Sequence, residues 1–230
     1  MDIHKPKPWH GLREFLKEYL IIVVGVLTAL AAEAVVENLH WRHVVAEERH
    51  ALDLNVQSND AAMRYRAWFE PCVQRRLAEL DELFQRHARG EPLRIAGRLG
   101  RPNYVLGGTR VWDLTVADGS VAHMPLEDKG RYMAAFATWG SYYATHTDER
   151  NDWRELQALD HPEDLTPSDW SALRRVLDRA RDDDLSMRSG LTEANWLAPL
   201  HGLGLKPLST PKVLHMQPQL GALCRPMLAS

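Results

Sequence analysis

Five side chains with metal-binding chemistry share one helical stripe early in the chain: Glu37, His40, His43, Glu47 and His50, at steps of three, three, four and three. On a helix that spacing keeps them on one face. The pairs Glu37–His40 and Glu47–His50 set a carboxylate and an imidazole one turn apart, the donors with which di-iron bundles clamp divalent metals. Those bundles draw ligands from several helices, whereas His87, His123 and His146 each stand alone. The stripe is therefore read first as a polar face able to titrate with pH, and second as a metal site.

A second constellation comes from polar residues on apolar stripes. His146 and Arg150 interrupt the run Tyr132, Phe136, Trp139, Tyr143, Trp153; Asp184 interrupts Trp170, Leu173, Leu177, Ala180, Met187, Leu191, Ala194. A carboxylate carried into a bundle interior needs a cation, and Arg150 or His146 would serve. The plain reading is a register-setting polar contact; the functional one is a ligand pocket or proton-sensing cluster. The two cysteines, Cys72 and Cys224, are expected to pair in an oxidising compartment, free thiols being the alternative. Their bond would close a loop of about 150 residues, which chain entropy values at roughly 4–5 kcal/mol, less any strain.

Other chemistry is missing from the sequence. It has no Gly-x-Ser-x-Gly elbow, no glycine-rich phosphate loop ending in Gly-Lys, no His-Glu-x-x-His and no Cys-x-x-Cys. Asp182, Asp183 and Asp184 lack the alternate spacing and glycine of a calcium loop. Neither an enzymatic activity nor a cofactor is expected. Net charge is -3, and arginines alternate with acids, as in Asp178-Arg179-Ala180-Arg181-Asp182. That describes a solvated helix face rather than a nucleic-acid surface. Eight tryptophans, scattered singly, read as anchors between helices in preference to a carbohydrate platform.

The elements that must position these groups begin with an apolar run. Tyr19 to Ala32 contains no charge, and beyond Glu33 the run continues through Ala34, Val35 and Val36. Tyr19 and Trp41 would lie about 33 Å apart on a helix, matching the hydrocarbon thickness with an amphipathic ring at each interface. Trp9, Leu12, Leu16 and Tyr19, flanked by Lys5, Lys7, Arg13 and Lys17, suit a helix entering through the headgroups. Four basic residues precede the span, and Arg42 and Arg49 closely follow it. The positive-inside rule then puts residues 1–18 in the cytoplasm, 19–38 in the bilayer and 39–230 outside. Two rivals are a cleaved signal peptide, since Ala29-Leu30-Ala31 and Ala32-Glu33-Ala34 have small-x-small form, and a buried core helix. Gly25 and Ala29 have the spacing that lets two membrane helices approach, and Glu33 snorkels or pairs with a neighbouring chain.

The anchor helix should run to about Gln57, with a turn or new helix start at Ser58-Asn59-Asp60. A second helix follows to about Arg89, kinked or started near Glu70 by Pro71 and stopped by Gly90. Glycines and prolines make residues 90–108 a loop with short extended pieces near Leu93–Ile95 and Tyr104–Leu106. Helices are expected at Arg110–Ala117, from near Pro125 to Leu159, and from Pro167 with Thr166 as its cap. The expected fold is all-α: a transmembrane helix continuing into an up-and-down bundle of about four helices, with an irregular Pro/Gly-rich C-terminal tail.

The stretch Trp9–His43, with its core from Arg13-Glu14-Phe15-Leu16-Lys17-Glu18-Tyr19 through Leu30, resembles a family of uncharacterised bacterial single-pass membrane proteins. The pieces Glu70-Pro71-Cys72-Val73-Gln74-Arg75-Arg76-Leu77-Ala78-Glu79-Leu80, Val111-Trp112-Asp113-Leu114 and Ala117-Asp118-Gly119-Ser120 are similar to that group as well. The resemblance implies the anchor-plus-helical-domain layout in a bacterial inner membrane, with the bulk periplasmic. It implies no activity, cofactor or catalytic residue. The expected role is a membrane-anchored interaction or assembly module whose partners are the lipid bilayer and a second copy or another membrane protein, with no nucleic acid. The alternatives are a ligand- or pH-sensing bundle acting through a partner, because the N-terminal arm is short for a signalling domain, and a juxtamembrane metal-binding protein.

Overall fold

The structure, a computed structural model, describes residues 11–102, 107–190, 199–207 and 221–229. The fold is all-α, with α1 at Leu12–Trp68, α2 at Glu70–Ala88, α3 at Arg110–Ala117, α4 at Leu126–Leu156 and α5 at Pro167–Gly190. Short 3-10 turns at Ser120–His123, Gln157–Asp160 and Pro162–Asp164 join them.

α1 is longer than its sequence suggests, because Ser58-Asn59-Asp60 does not interrupt it. Asn59 and Asp60 face inward and find partners, while Ser58 stays exposed. Asn59 donates to the Gly108 carbonyl at 3.0 Å and accepts from the Tyr143 hydroxyl at 3.1 Å. Asp60 accepts from Arg64 one turn on, at 2.9 Å. With Asn59 bonded to neighbouring segments and Asp60 to Arg64 on α1 itself, they have no need of a turn. The real break is at Phe69, where Pro71 in the first turn of α2 cannot donate to the preceding turn. Gly90 ends α2 with φ +67°, the left-handed conformation a helix stop requires. Thr166 and Asp169 exchange side-chain-to-backbone hydrogen bonds of 2.8 and 3.3 Å at the start of α5, a capping box.

Contacts fix the directions of the helices. Going up α4, Tyr132 bonds to Asp53 and Glu149 to Arg66, so α4 runs alongside α1 in the same sense. Along α5, Trp170 stacks on His87, Arg174 pairs with Asp81, and Asp184 reaches Arg66, so α5 runs against both α1 and α2. α2 thus carries on in the direction of α1 after the kink. Two apolar clusters result. One joins Val45, Leu52, Val56 and Met63 of α1 to Tyr132, Phe136 and Trp139 of α4. The other joins α2, α5 and the end of α4 around Trp153, Leu80 and Leu177. Trp139, Trp153 and Trp170 are buried packing anchors, as their isolation in the sequence suggests.

Cys72 and Cys224 form a disulfide, with Cα atoms 4.8 Å apart across 152 residues of sequence. The bond docks residues 221–229 onto α2, and it does not act alone. Arg76, fully buried, donates to the carbonyls of Arg98, Ala222 and Arg225. Ile95 and Leu228 form a single antiparallel bridge, the extended piece expected near Leu93–Ile95. Gly100 has φ +64°, and a Cβ there would lie 2.5 Å from the Leu223 nitrogen, so only glycine lets the two segments touch. The described part of the tail is therefore more ordered than its composition suggests. The expectations at Trp9, Tyr104–Leu106, Leu191 and Ala194 fall outside the described residues.

Candidate functional site

Charged side chains converge where α1 ends, α2 begins and α4 and α5 cross them. Arg66, in the last turn of α1, is 2% exposed. Its guanidinium donates to Glu149 at 2.7 Å, to Asp184 at 3.2 Å and to Glu70 one turn on. Gln74 bridges Glu70 and Asp184, donating to Glu70 at 2.9 Å. Arg188 closes the other side of Asp184 at 3.0 Å and lies 3.5 Å from Glu70. The Phe69 ring sits 5.5 Å from the Arg66 guanidinium. Stopping α1 at a kink rather than a loop is what aims Arg66 and Glu70 at the same point.

Three carboxyls here face two guanidiniums, so full ionisation leaves one negative charge in excess; Arg66, Glu149 and Asp184 are closed to water, while Glu70 and Arg188 open toward it. Burial pushes Glu149 upward against the pull of Arg66, and does the same to Glu70, with Asp184 adding to it. Burial opposes the charge on Arg66, but Glu149 and Glu70 outweigh it and hold the guanidinium firmly protonated. Among the described residues, nothing hydrogen-bonds to the buried Oε2 of Glu149. That oxygen is where the arrangement can hold a proton.

Asp184 is at the heart of this network, but it finds its cations in Arg66 and Arg188 rather than in Arg150. The expected His146/Arg150/Asp184 grouping is corrected accordingly. His146 stands against the Tyr142 and Tyr143 rings at 6.0 Å. It is pushed down to about 4 by burial, with Arg66 and Arg150 adding like charge. Nearby Asp183 is pushed up to about 6 by burial and by Asp152, Asp148 and Glu149. Arg66 on α1 and Glu149 on α4 are two further members of this site that the polar interruptions His146, Arg150 and Asp184 do not include. Their signal was available: Leu52, Val56, Asn59, Met63 and Arg66 follow steps of four and three, and Glu149 continues Trp139 and Tyr142.

The juxtamembrane stripe is a different kind of surface. Glu37, His40, His43, Glu47 and His50 are all exposed, because this part of α1 turns Val45, Glu48 and Leu52 inward. Only His43 and Glu47 are brought together, at 3.2 Å. Among the described residues the one close grouping of three donors is His161, Glu163 and Asp164, on an exposed turn before α5.

Upstream, α1 contains an 18-residue window of mean hydropathy 2.4 with none of its surface buried. It is long and apolar enough to cross a membrane. Gly25 has open space around it, Ala29 and Glu33 are exposed, and Thr28 returns its hydroxyl to the Val24 carbonyl at 2.7 Å. No protein-family model, no curated protein and no solved structure matches this chain.

Proposed function

We propose that the chain is a membrane-anchored helical module whose bundle stands in an oxidising, extracytoplasmic space and engages a second copy or another membrane protein. One observation carries the reading. A single unbroken helix carries an uncharged apolar run from Tyr19 to Ala32 with none of its residues buried, then becomes the inner wall of a bundle from Val45 onward. An exposed apolar face of that size is costly in water and favourable in lipid. Continuity of the helix through residues 29–34 argues against a cleaved leader, and its bareness argues against a core helix. The Cys72–Cys224 bond supports an oxidising compartment, and the basic residues before the span support a cytoplasmic N-terminus. Alkaline washing of membranes tests the anchor: intact chain should stay with the lipid, and its release would refute the reading. Protease added outside spheroplasts should digest the bundle, and a bundle protected there would reverse the orientation.

A second reading, a pH-responsive bundle acting through a partner, is favoured by the unbalanced charge around Arg66. It assigns the excess proton to Glu149 or Glu70, the two carboxyls that burial pushes upward.

A further inference from the structure

Where α1 leaves its apolar stretch, the bundle's nearest edge forms a cavity of about 600 Å³ against it. The Trp41 indole and His123 imidazole make its floor, stacked 3.6 Å apart with planes 9° from parallel. Ala34 and Val45 line it with apolar surface, and Arg42 and Arg49 line it with positive charge. Arg49 is held by Asp128 at 3.2 Å, while Arg42 is exposed and has no ion pair among the described residues. We propose that this cavity binds a phospholipid through its phosphate, with an acyl chain lying down α1 past Ala34. The inference rests on the anchored reading above.

Depth along the helix supports the assignment. With Trp41 at the hydrocarbon boundary, Arg42 lies about 1.5 Å and Arg49 about 12 Å further along the axis. The headgroup layer beyond the hydrocarbon is roughly 5–7 Å thick. Side chains on a helix lean toward its N-terminus, which here is the membrane side, so the long Arg49 side chain reaches back to the phosphate level. Guanidinium groups suit phosphate oxygens because their fixed N–H forks match them in pairs. Glu37 on the same wall opposes further negative charge, so the cavity takes one phosphate rather than a polyphosphate. Two arginines at its mouth make it a poor seat for another apolar helix.

The test is native mass spectrometry of the full chain in mild detergent, offered dioleoyl-phosphatidylglycerol or dioleoylglycerol at equal concentration. The phospholipid should be retained about thirtyfold more than the phosphate-free lipid, in line with what two basic groups contribute at a lipid surface. R42Q/R49Q should remove that preference and R42Q alone should reduce it, while R154Q, which matches R42Q in charge on an exposed part of α4, should leave it. If losing the Asp128 contact unfolds the double variant, R42Q alone carries the comparison. Equal retention of the two lipids, or a preference that R42Q leaves undiminished, overturns the proposal. Displacement of the lipid by glycerol phosphate at matching concentration also overturns it, in favour of a soluble anion. Anchoring fails separately, as release of the chain from alkali-washed membranes, and that result does not change the adduct spectrum.

Discussion

The two halves of α1 reverse the usual distribution of residue types. From Leu12 to Leu39 the large apolar side chains, Leu20, Ile22, Leu27 and Leu30 among them, are turned outward on all sides. From Val45 to Trp68 the same helix buries not only Leu52 and Val56 but also Asn59, Asp60 and Arg66. Nothing in the backbone distinguishes the halves. What differs is the surroundings: the first half has no neighbour to cover it, whereas the second has α4 and α5 to supply polar partners. Sidedness in a helix thus reports the medium around it rather than any intrinsic preference.

The sharpest way to break this comparison is to put the same arginine in each half. Leu52→Arg places an unpaired charge at a fully buried site and should abolish cooperative unfolding of the bundle, an effect beyond about 4 kcal/mol. Leu27→Arg should leave the unfolding transition alone and weaken membrane retention, by about 2.5–3.5 kcal/mol on insertion scales. Equal effects would mean that the first half is part of the packed core. Next in size is Arg66→Met. It leaves Glu149 buried without its cation and Asp184 with Arg188 alone, and should cost about 3–5 kcal/mol in a denaturant titration. Replacing all three by apolar residues should recover most of that loss, because what costs is the uncompensated charge. Removing the disulfide with C72S/C224S should cost about 2–4 kcal/mol. It should also make residues 221–229 exchange amide hydrogens faster than α4, and unchanged exchange would mean that Arg76 alone holds the tail.

A smaller and more informative effect is the dependence on pH. His146 is held at about 4 against an ordinary 6.5, so its neutral form supports the fold above about 6.5. That support is lost as pH falls toward 4. Asp183 is raised from 3.8 to about 6, so its protonated form supports the fold at low pH and the support fades as pH rises through 6. The two slopes oppose each other between pH 4 and 6, with Glu149 and Glu70, also raised by burial, on the side of Asp183. Relative to the unsubstituted chain, D183N should lose stability on acidification and H146Q should gain it. Identical profiles in the two variants would remove both groups from the account. Smallest of all, Gly25→Leu should leave the bundle's unfolding untouched while reducing crosslinked dimers in membranes. Undiminished crosslinking would take Gly25 and Ala29 out of any interface.

Much of the architecture was readable beforehand because backbone chemistry announces it. Pro71 and Gly90 bound α2, Thr166 and Pro167 open α5, and the apolar spacing of α4 places Tyr132, Phe136 and Trp139 inside. The error at Ser58–Asp60 has a physical origin. A polar residue in a linear sequence looks the same whether it faces water or a buried partner, and Asn59 has its partners 49 and 84 positions away. The charged site was legible only through Asp184. Arg66 and Glu149 lie on their seams at the right spacing, but a charge on a seam is ordinarily taken as the seam's end. Arg76 gave little warning, since apart from Glu79 on the next turn its acceptors are backbone carbonyls and carry no side-chain signature. The histidine stripe shows the converse: regular spacing without a facing helix gathers no ligands.

Because no joint interrupts α1 between Leu12 and Trp68, it behaves as a stiff shaft about 85 Å long. A twist applied near Leu20 cannot be absorbed on the way. It arrives at Asn59 and Arg66 as a rotation of the very groups that clasp α4 and α5, and the first place it can be spent is the bend at Phe69.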